Sequence, residues 1–314
     1  MNPLFNTNIA RFQLTFSVET DWRLYGKEPA IRGKLGLNLK RKCCAFPGFR
    51  SKICEDCELI QKCLYIQLFS PIVLKNKGAG HSTRPFVISL ESFGKDNHML
   101  AEGETGCIYV TLFGPAIRYC SLFLESIQEL KHFFPIQMES LTPCIPTPVN
   151  QHSESQIAWP LGDWISIENP TNTLRIGFVT PVRFKSKQQI SAKTMNFHVL
   201  MQAIIRRLRD LKRAFSDNTD MGIVDNLLHQ ASEVIVSDNQ LYWARRKRYS
   251  YRQHQEVYLN GFCGEIKFEG DLDLFLPYIE AAALVHVGKS TSAGNGRVCI
   301  TCKKKSTSFI FVEK

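Results

Sequence analysis

Tyr278-Ile-Glu-Ala-Ala-Ala-Leu-Val-His286-Val-Gly288-Lys289-Ser-Thr-Ser-Ala-Gly294-Asn-Gly296-Arg297-Val-Cys-Ile300 is the stretch on which the reading of this chain turns. An apolar, alanine-rich run enters a loop of glycines, small hydroxyls and two cations, and a strand is expected over residues 297–301. Glycine lets backbone N–H groups face outward with no Cβ in the way, Ser290 and Thr291 add donors, and Lys289 and Arg297 add positive charge. Such a loop is suited to wrapping a phosphodiester backbone, with Gly288, Ser290, Thr291, Gly294, Gly296 and Arg297 as contacts; the plain alternative is a flexible hairpin. It is not a Walker loop, because Gly288-Lys289-Ser290 lacks the upstream glycine that a phosphate loop needs, and it is not a dinucleotide fingerprint.

The most basic stretch lies just upstream, Tyr242-Trp-Ala-Arg-Arg-Lys-Arg-Tyr-Ser-Tyr-Arg-Gln-His254. Arg245, Arg246, Lys247, Arg248 and Arg252 alternate with Tyr242, Trp243, Tyr249 and Tyr251. Cations neutralise phosphates while aromatic rings stack on unpaired bases, each ring worth roughly 1–3 kcal/mol. Arg245, Arg248 and Arg252 are therefore read as contacts to a nucleic-acid backbone; the alternative is a basic exposed strand with ordinary sheet aromatics. Around this stretch the pattern predicts a strand over 174–185, a helix over 196–215, a shorter helix over 223–236, and a strand over 258–268. A further helix over 272–284, capped by Asp271, then delivers the chain to the loop. The 196–215 helix has Phe197, Leu200, Met201, Ile204, Ile205, Leu208 and Leu211 on one face. Arg206, Arg207, Arg209, Lys212 and Arg213 lie on the other, a face expected to be solvated.

In the first half, Ala10, Phe12, Leu14, Phe16 and Val18 alternate with polar residues, a strand with one buried face. Pro29 opens a helix that continues over 30–44, strands are expected over 84–92 and 107–113, and Gly114-Pro115 opens a second helix running to about residue 133. A proline-rich edge strand over 138–149 precedes the linker. Both halves thus read β-α-β-β-α-β, giving an α+β architecture of two tandem ferredoxin-like units. Residues 1–150 form the first, with a cysteine-rich insertion, and residues 151–314 the second, with RNA-binding surfaces and the glycine-rich loop. In the insertion, Cys54 and Cys57 make a C-x2-C knuckle, and Cys63 with one of Cys43 and Cys44 (taken as Cys44) completes four thiolates. Such a closed set suits a structural zinc; reduced thiols or an iron–sulfur cluster are the alternatives.

At 314 residues and 44% hydrophobic content the chain has room for two cored domains. Its net charge of +10 suits a polyanionic partner, nucleic acid before an acidic membrane surface. No apolar run is long enough for a membrane span and the N-terminus lacks signal-peptide character, so a cytoplasmic protein is expected. Its eleven cysteines then read as thiols or metal ligands rather than disulfides. A metal-dependent nuclease is disfavoured, because no carboxylate cluster suits two cations.

Gly264-Glu-Ile-Lys-Phe-Glu-Gly-Asp271 followed by Leu276-Pro-Tyr-Ile-Glu and the 281–297 run resembles the C-terminal signature of the CRISPR repeat-processing endoribonucleases of the repeat-associated mysterious protein (RAMP) superfamily. Arg248-Tyr-Ser-Tyr-Arg-Gln253 is similar to the lead-in to that signature, which implies RNA contacts at Arg245, Arg248, Arg252 and Gln253; Ile31-Arg-Gly-Lys-Leu-Gly36, Cys54/Cys57/Cys63 and Leu68-Phe-Ser-Pro71 are similar to other blocks. The resemblance implies a prokaryotic protein that binds CRISPR repeat RNA across two ferredoxin-like folds. It also implies cutting without a catalytic cofactor, by 2′-hydroxyl attack that leaves a 2′,3′-cyclic phosphate and a 5′-hydroxyl. Partners implied are repeat RNA and other effector-complex subunits, with no membrane and no direct DNA contact. Many relatives place a catalytic histidine near the first helix, whereas no histidine precedes His81 here. Tyr25 and Lys34 are therefore placed near the scissile phosphate, as in members thought to work without histidine. His286 stands as an acid or base with Lys289 stabilising charge, or else as a packing residue. A non-catalytic RNA-binding subunit of the same superfamily is the alternative function.

Overall fold

The computed structural model of the chain describes residues 2–46, 48, 54, 56–69, 83–93, 99–146, 156–166, 171–184, 190–215, 222, 224–250 and 255–301. The first half grows from β1 (Asn8–Val18), whose alternation puts Ala10, Phe12, Leu14, Phe16 and Val18 on one buried face. After the short β2 (Trp22–Arg23) come α1 (Glu28–Cys43) and α2 (Leu64–Phe69). Next are β3 (Phe86–Ser92), the short β4 (Met99–Leu100) and β5 (Thr105–Phe113). A 3-10 turn at Gly114–Tyr119 leads into α3 (Cys120–Gln128), and β6 (Ile136–Cys144) closes the unit. The antiparallel order is β3-β5-β1-β6, the ferredoxin-like arrangement, with β7 (Trp159–Pro160) adding to β1 and β2 pairing β4. Ile31, Leu35 and Leu39 of α1 and Phe123 and Ile127 of α3 cover the apolar face of the sheet. Gly36 leaves room there for the Phe69 ring, which a side chain would strike.

The second half repeats the plan. β8 (Thr173–Val182) leads to α4 (Phe197–Phe215) and α5 (Asp225–Gln230). Then come β9 (Ile235–Asn239), β10 (Tyr242–Ala244), β11 (Lys247–Ser250), β12 (Gln255–Tyr258) and β13 (Gly261–Glu269). α6 (Leu276–Val285) and β14 (Val298–Thr301) complete it. The order β10-β13-β8-β14, with β9 also on β13, matches the first sheet strand for strand, while β11 and β12 pair separately as a hairpin. The chain is α+β, two ferredoxin-like units in tandem.

Three expectations are corrected. The 223–236 helix is only α5, after which the chain turns and Ile235–Asn239 pairs with β13 as β9. The 258–268 strand is cut at Leu259 and Asn260, where the hairpin ends and β13 begins. Asp271 caps nothing; a 3-10 turn at Asp273–Phe275 precedes α6, and the Asp273 carboxylate instead accepts from the Thr171 amide at 2.9 Å.

The basic face of α4 is not simply solvated either. Arg207 is buried and its guanidinium donates twice to the Val285 carbonyl at 3.1 Å, closing the C-terminus of α6. Burial lowers its pKa to about 10. Lys212 is wholly buried and donates to the Pro3 carbonyl at 2.8 Å, in the first unit. Asn2 reaches Tyr278 at 2.6 Å, and Leu4, Phe5, Ile9, Val87, Tyr109 and Phe113 share one core with the second unit. The two halves are therefore joined by a packed interface rather than a loose linker.

Candidate nucleic-acid interface

The glycine-rich loop lies at that joint. Residues 291–296 are buried, while Lys289 and Ser290 are exposed and Gly288 is half-buried. Five of its amides are engaged: Lys289 donates to the Arg183 carbonyl, Ala293 to Ser290, Gly294 to Thr291, Gly296 to Pro181 and Arg297 to the Thr180 hydroxyl, all at 2.9–3.1 Å. The glycines serve close approach. At Gly294 (φ 82°) a side chain would strike Glu28 of α1, and at Gly296 (φ 79°) the Val287 carbonyl. Arg297 points away from solvent, donating to the Leu90 carbonyl at 2.6 Å and pairing with Glu91 of β3. The expected open cradle is thus corrected: Gly294 and Arg297 meet the first unit at Glu28 and Glu91, Thr291 and Gly296 are buried, and Gly288, Lys289 and Ser290 remain at the surface.

His286 belongs to the same joint. It is fully buried, with Nε2 3.2 Å from Ser89 Oγ of β3 and Nδ1 3.2 Å from the Asn295 carbonyl. The carbonyl can only accept, so Nδ1 carries the proton and the Ser89 hydroxyl donates to Nε2. Burial, then the Arg297 charge, lowers its pKa to about 3. Its backbone sits at φ 56°, ψ 156°, a region other residues than glycine rarely enter, and its two side-chain hydrogen bonds hold it there. His286 thus ties the loop at Asn295 to β3 at Ser89.

A different surface brings Tyr25 of the first unit against the basic stretch of the second. A turn closed by Lys27 N–H to the Leu24 carbonyl, with Gly26 at φ 83°, presents Tyr25 just before α1. Against it, from the second unit, comes Arg246, its guanidinium carbon 5.2 Å from the Tyr25 ring centroid. Arg246 Nη2 is 2.9 Å from Glu28 Oε2, an ion pair whose side chains are 10% and 7% exposed. The Tyr25 hydroxyl meets the Cys263 thiol, with Tyr242 nearby. Burial, then Cys263, raises the Tyr25 pKa, and the Arg246 charge pulls it partly back. Burial likewise takes the Cys263 thiol up to about 11.

Beyond Arg246 the surface is aromatic and cationic. Tyr242, Trp243 and Tyr258 are 57%, 46% and 62% exposed, which is unusual for rings of this size on a sheet edge and a hairpin. Trp243 is steadied edge-on against Phe262, centroids 4.9 Å apart. Arg245 and Lys247 are exposed and Arg248 is half-buried; Lys247 pairs with Glu256 across the hairpin at 2.7 Å. Arg252, Gln253 and His254 lie outside the described residues. Lys34, also on α1, rests its ammonium 4.5 Å from the Phe133 ring centroid. Of the expected residues the structure brings Tyr25 to the basic stretch and gathers the loop residues at the joint. Glu28 and Cys263 gave no signal in the sequence, where a glutamate before a proline reads only as first-turn charge on a helix.

Cys44, Cys54, Cys57 and Cys63 line one pocket with Lys40, Ile60, Tyr65 and Ile66, and the Cys57 amide turns back to the Cys54 carbonyl at 3.3 Å. Burial and the neighbouring Cys63 and Cys44 take the Cys43 thiol up to about 11. Among the described residues no three His, Cys, Asp or Glu side chains form a metal-holding group, so the geometry does not show the expected zinc. Among the described residues no helix is long and apolar enough to cross a membrane.

The family model of the CRISPR-associated endoribonuclease Cas6 matches residues 176–298, and one described as an N-terminal domain matches residues 5–135. No curated protein matches. A chain of a partial Cas6-RT-Cas1–Cas2 complex superposes on 100% of this chain and 49% of its own, with a TM-score of 0.56 and 16% identity. This chain therefore spans about half the length of that one. A Cas6 of Thermus thermophilus superposes on 94% of this chain and 98% of its own, with a TM-score of 0.50 and 14% identity. A Cas6 product complex gives 93% and 99% at the same score and identity. The family model of the CRISPR-associated endoribonuclease Cas6 thus runs through the second ferredoxin-like unit, and the fold of Cas6 proteins runs through both.

Proposed function

We propose that this protein binds CRISPR repeat RNA over the face that carries Tyr242, Trp243 and Tyr258 and cuts it beside Tyr25. The observation that carries the reading is the exposed set of Tyr242, Trp243 and Tyr258, set among Arg245 and Lys247, running up to a half-buried tyrosine from the other unit. Rings stack on bases whatever their identity, and the cations follow the backbone. In the reaction, the 2′-oxygen loses its proton to a base and bonds to phosphorus. The bond from phosphorus to the 5′-oxygen breaks, that oxygen takes a proton, and a 2′,3′-cyclic phosphate and a 5′-hydroxyl result. A phenol with a raised pKa stays protonated at neutral pH, so Tyr25 is assigned the donation to the 5′-oxygen. Lys34 is kept as a source of positive charge near the phosphate, and Lys289 and Ser290 as surface contacts to the RNA. His286 is left out of the reacting set, because it is enclosed and its ring nitrogens are engaged.

The test is cleavage of the cognate repeat RNA in EDTA, beside a copy bearing a 2′-deoxy residue at the cut site. Cutting of the first alone, leaving a cyclic phosphate, is the expected result. Tight binding with neither cut would replace this reading by that of a non-catalytic RNA-holding subunit. Other CRISPR proteins are proposed as partners, supported by the likeness to a chain solved within a Cas6-RT-Cas1–Cas2 complex, and a prokaryotic cytoplasm as the setting.

A structural zinc at Cys44, Cys54, Cys57 and Cys63 is part of the proposal. Its support is that four soft donors share one pocket and that a C-x2-C turn is formed. Elemental analysis should find one zinc per chain in the purified protein and none after Cys54→Ser; a metal-free native protein contradicts it.

A further inference from the structure

We propose that Arg246 is the positioning residue of Tyr25, holding the tyrosine turn of the first unit in place from the second through its pair with Glu28. The inference rests on the reading above, that Tyr25 takes part in cleavage. Arg246 is itself fixed at both ends of its peptide: its amide donates to Asn260 Oδ1 at 2.8 Å, and its carbonyl accepts from the Leu259 amide at 2.7 Å. Leu259 is anchored in turn, its carbonyl accepting from Asn295 Nδ2 at 3.1 Å. From that base the side chain crosses the joint, lies beside the Tyr25 ring and ends on Glu28. Gly26 permits the approach, since a Cβ there would come 2.9 Å from Arg246 Nη2. The tyrosine is thus bracketed by Arg246 on its ring and Cys263 at its hydroxyl, both from the second unit.

A buried ion pair of this kind is weak evidence for stability, because removing two charges from water offsets most of their attraction. What such a pair does well is fix a register. Here the register it fixes is that of the Tyr25 turn against the strand carrying the exposed aromatics. Losing Arg246 should also move the phenol further from its usual pKa, since the guanidinium is the charge that lowers it.

The experiment uses the full chain with Arg246→Gln, Arg246→Lys, Glu28→Gln and Tyr25→Phe. It measures single-turnover cleavage at saturating repeat RNA, RNA affinity, and the Tyr25 phenol titration by ultraviolet difference against Tyr25→Phe. In Arg246→Gln the rate should fall roughly 100-fold, the scale expected for a misplaced reacting group, with affinity little changed and Tyr25 titrating higher. Glu28→Gln should also slow cleavage, because the guanidinium loses its anchor. If Tyr25→Phe cuts like the native protein, the catalytic reading of Tyr25 fails and the inference with it. If Tyr25→Phe is inactive while Arg246→Gln keeps both the native rate and the native titration, the inference alone is overturned. Should Arg246→Gln not fold, Arg246→Lys decides, since it keeps the charge without the planar fork: a native rate overturns the proposal and a slowed one supports it.

Discussion

Arg297→Ala is expected to cost on the order of 3 kcal/mol of stability, because it leaves Glu91 without its partner in a largely buried site. It also removes the donor to the Leu90 carbonyl, so β3 of the first unit loses two ties to the loop of the second. For a chain of this size the loss reads as a melting temperature lower by roughly 5–10 °C, measured by calorimetry or far-ultraviolet circular dichroism. RNA affinity of the folded fraction should change little. A contact on an open loop would behave in the opposite way: native stability, weaker binding, and a salt dependence shallower by about one ion. That second pattern would return Arg297 to the RNA and undo the assignment of the loop to the joint.

The other large effect is that of pH on His286. The ring is neutral in the folded protein, with a pKa near 3, and regains its ordinary value near 6.5 when the chain unfolds. The unfolded state therefore binds more protons between these values. Stability is full above about pH 6.5 and falls as the pH drops, by up to roughly 1.4 kcal/mol per pH unit. Equilibrium urea unfolding at pH 7.5 and pH 5 should show this loss in the native protein. His286→Gln should lack the corresponding increment, while being less stable at pH 7.5 by roughly 1–3 kcal/mol for its lost hydrogen bonds to Ser89 and Asn295. Parallel losses in the two proteins would contradict the enclosed, neutral state of the ring.

Elements with a strong period of their own were legible in the sequence. β1 alternates because one face meets α1 and α3, and α4 shows its spacing because Leu200, Ile204, Leu208 and Leu211 all pack inward. The errors arose where a continuous apolar run spans two elements. Residues 223–236 divide between α5 and β9, and 258–268 between β12 and β13. In the second case the break falls at Leu259 and Asn260, just before Gly261 opens β13, and the apolar flanks overshadow this Asn-Gly signal. The glycine-rich loop shows a deeper limit. Composition says that backbone comes close to something, but not whether that something is a phosphate or another segment of the same chain. Here it is Glu28, Val287 and Arg183. The surroundings of Tyr25 escape for a related reason, since Arg246 lies more than 200 positions away and Cys263 further still. The exposed Tyr242 and Trp243, by contrast, were readable from their interleaving with arginines, because a short edge strand buries little of either ring.

The RNA is expected to lie across the face that carries Trp243. Of the four tryptophans, Trp22, Trp159 and Trp164 are no more than 6% exposed, whereas Trp243 is 46% exposed, so a change in emission on binding reports that one ring. Titration with repeat RNA should quench the tryptophan fluorescence, and in Trp243→Phe the quench should vanish. Saturable binding with native emission unchanged, or a quench that survives Trp243→Phe, would put the RNA elsewhere on the molecule.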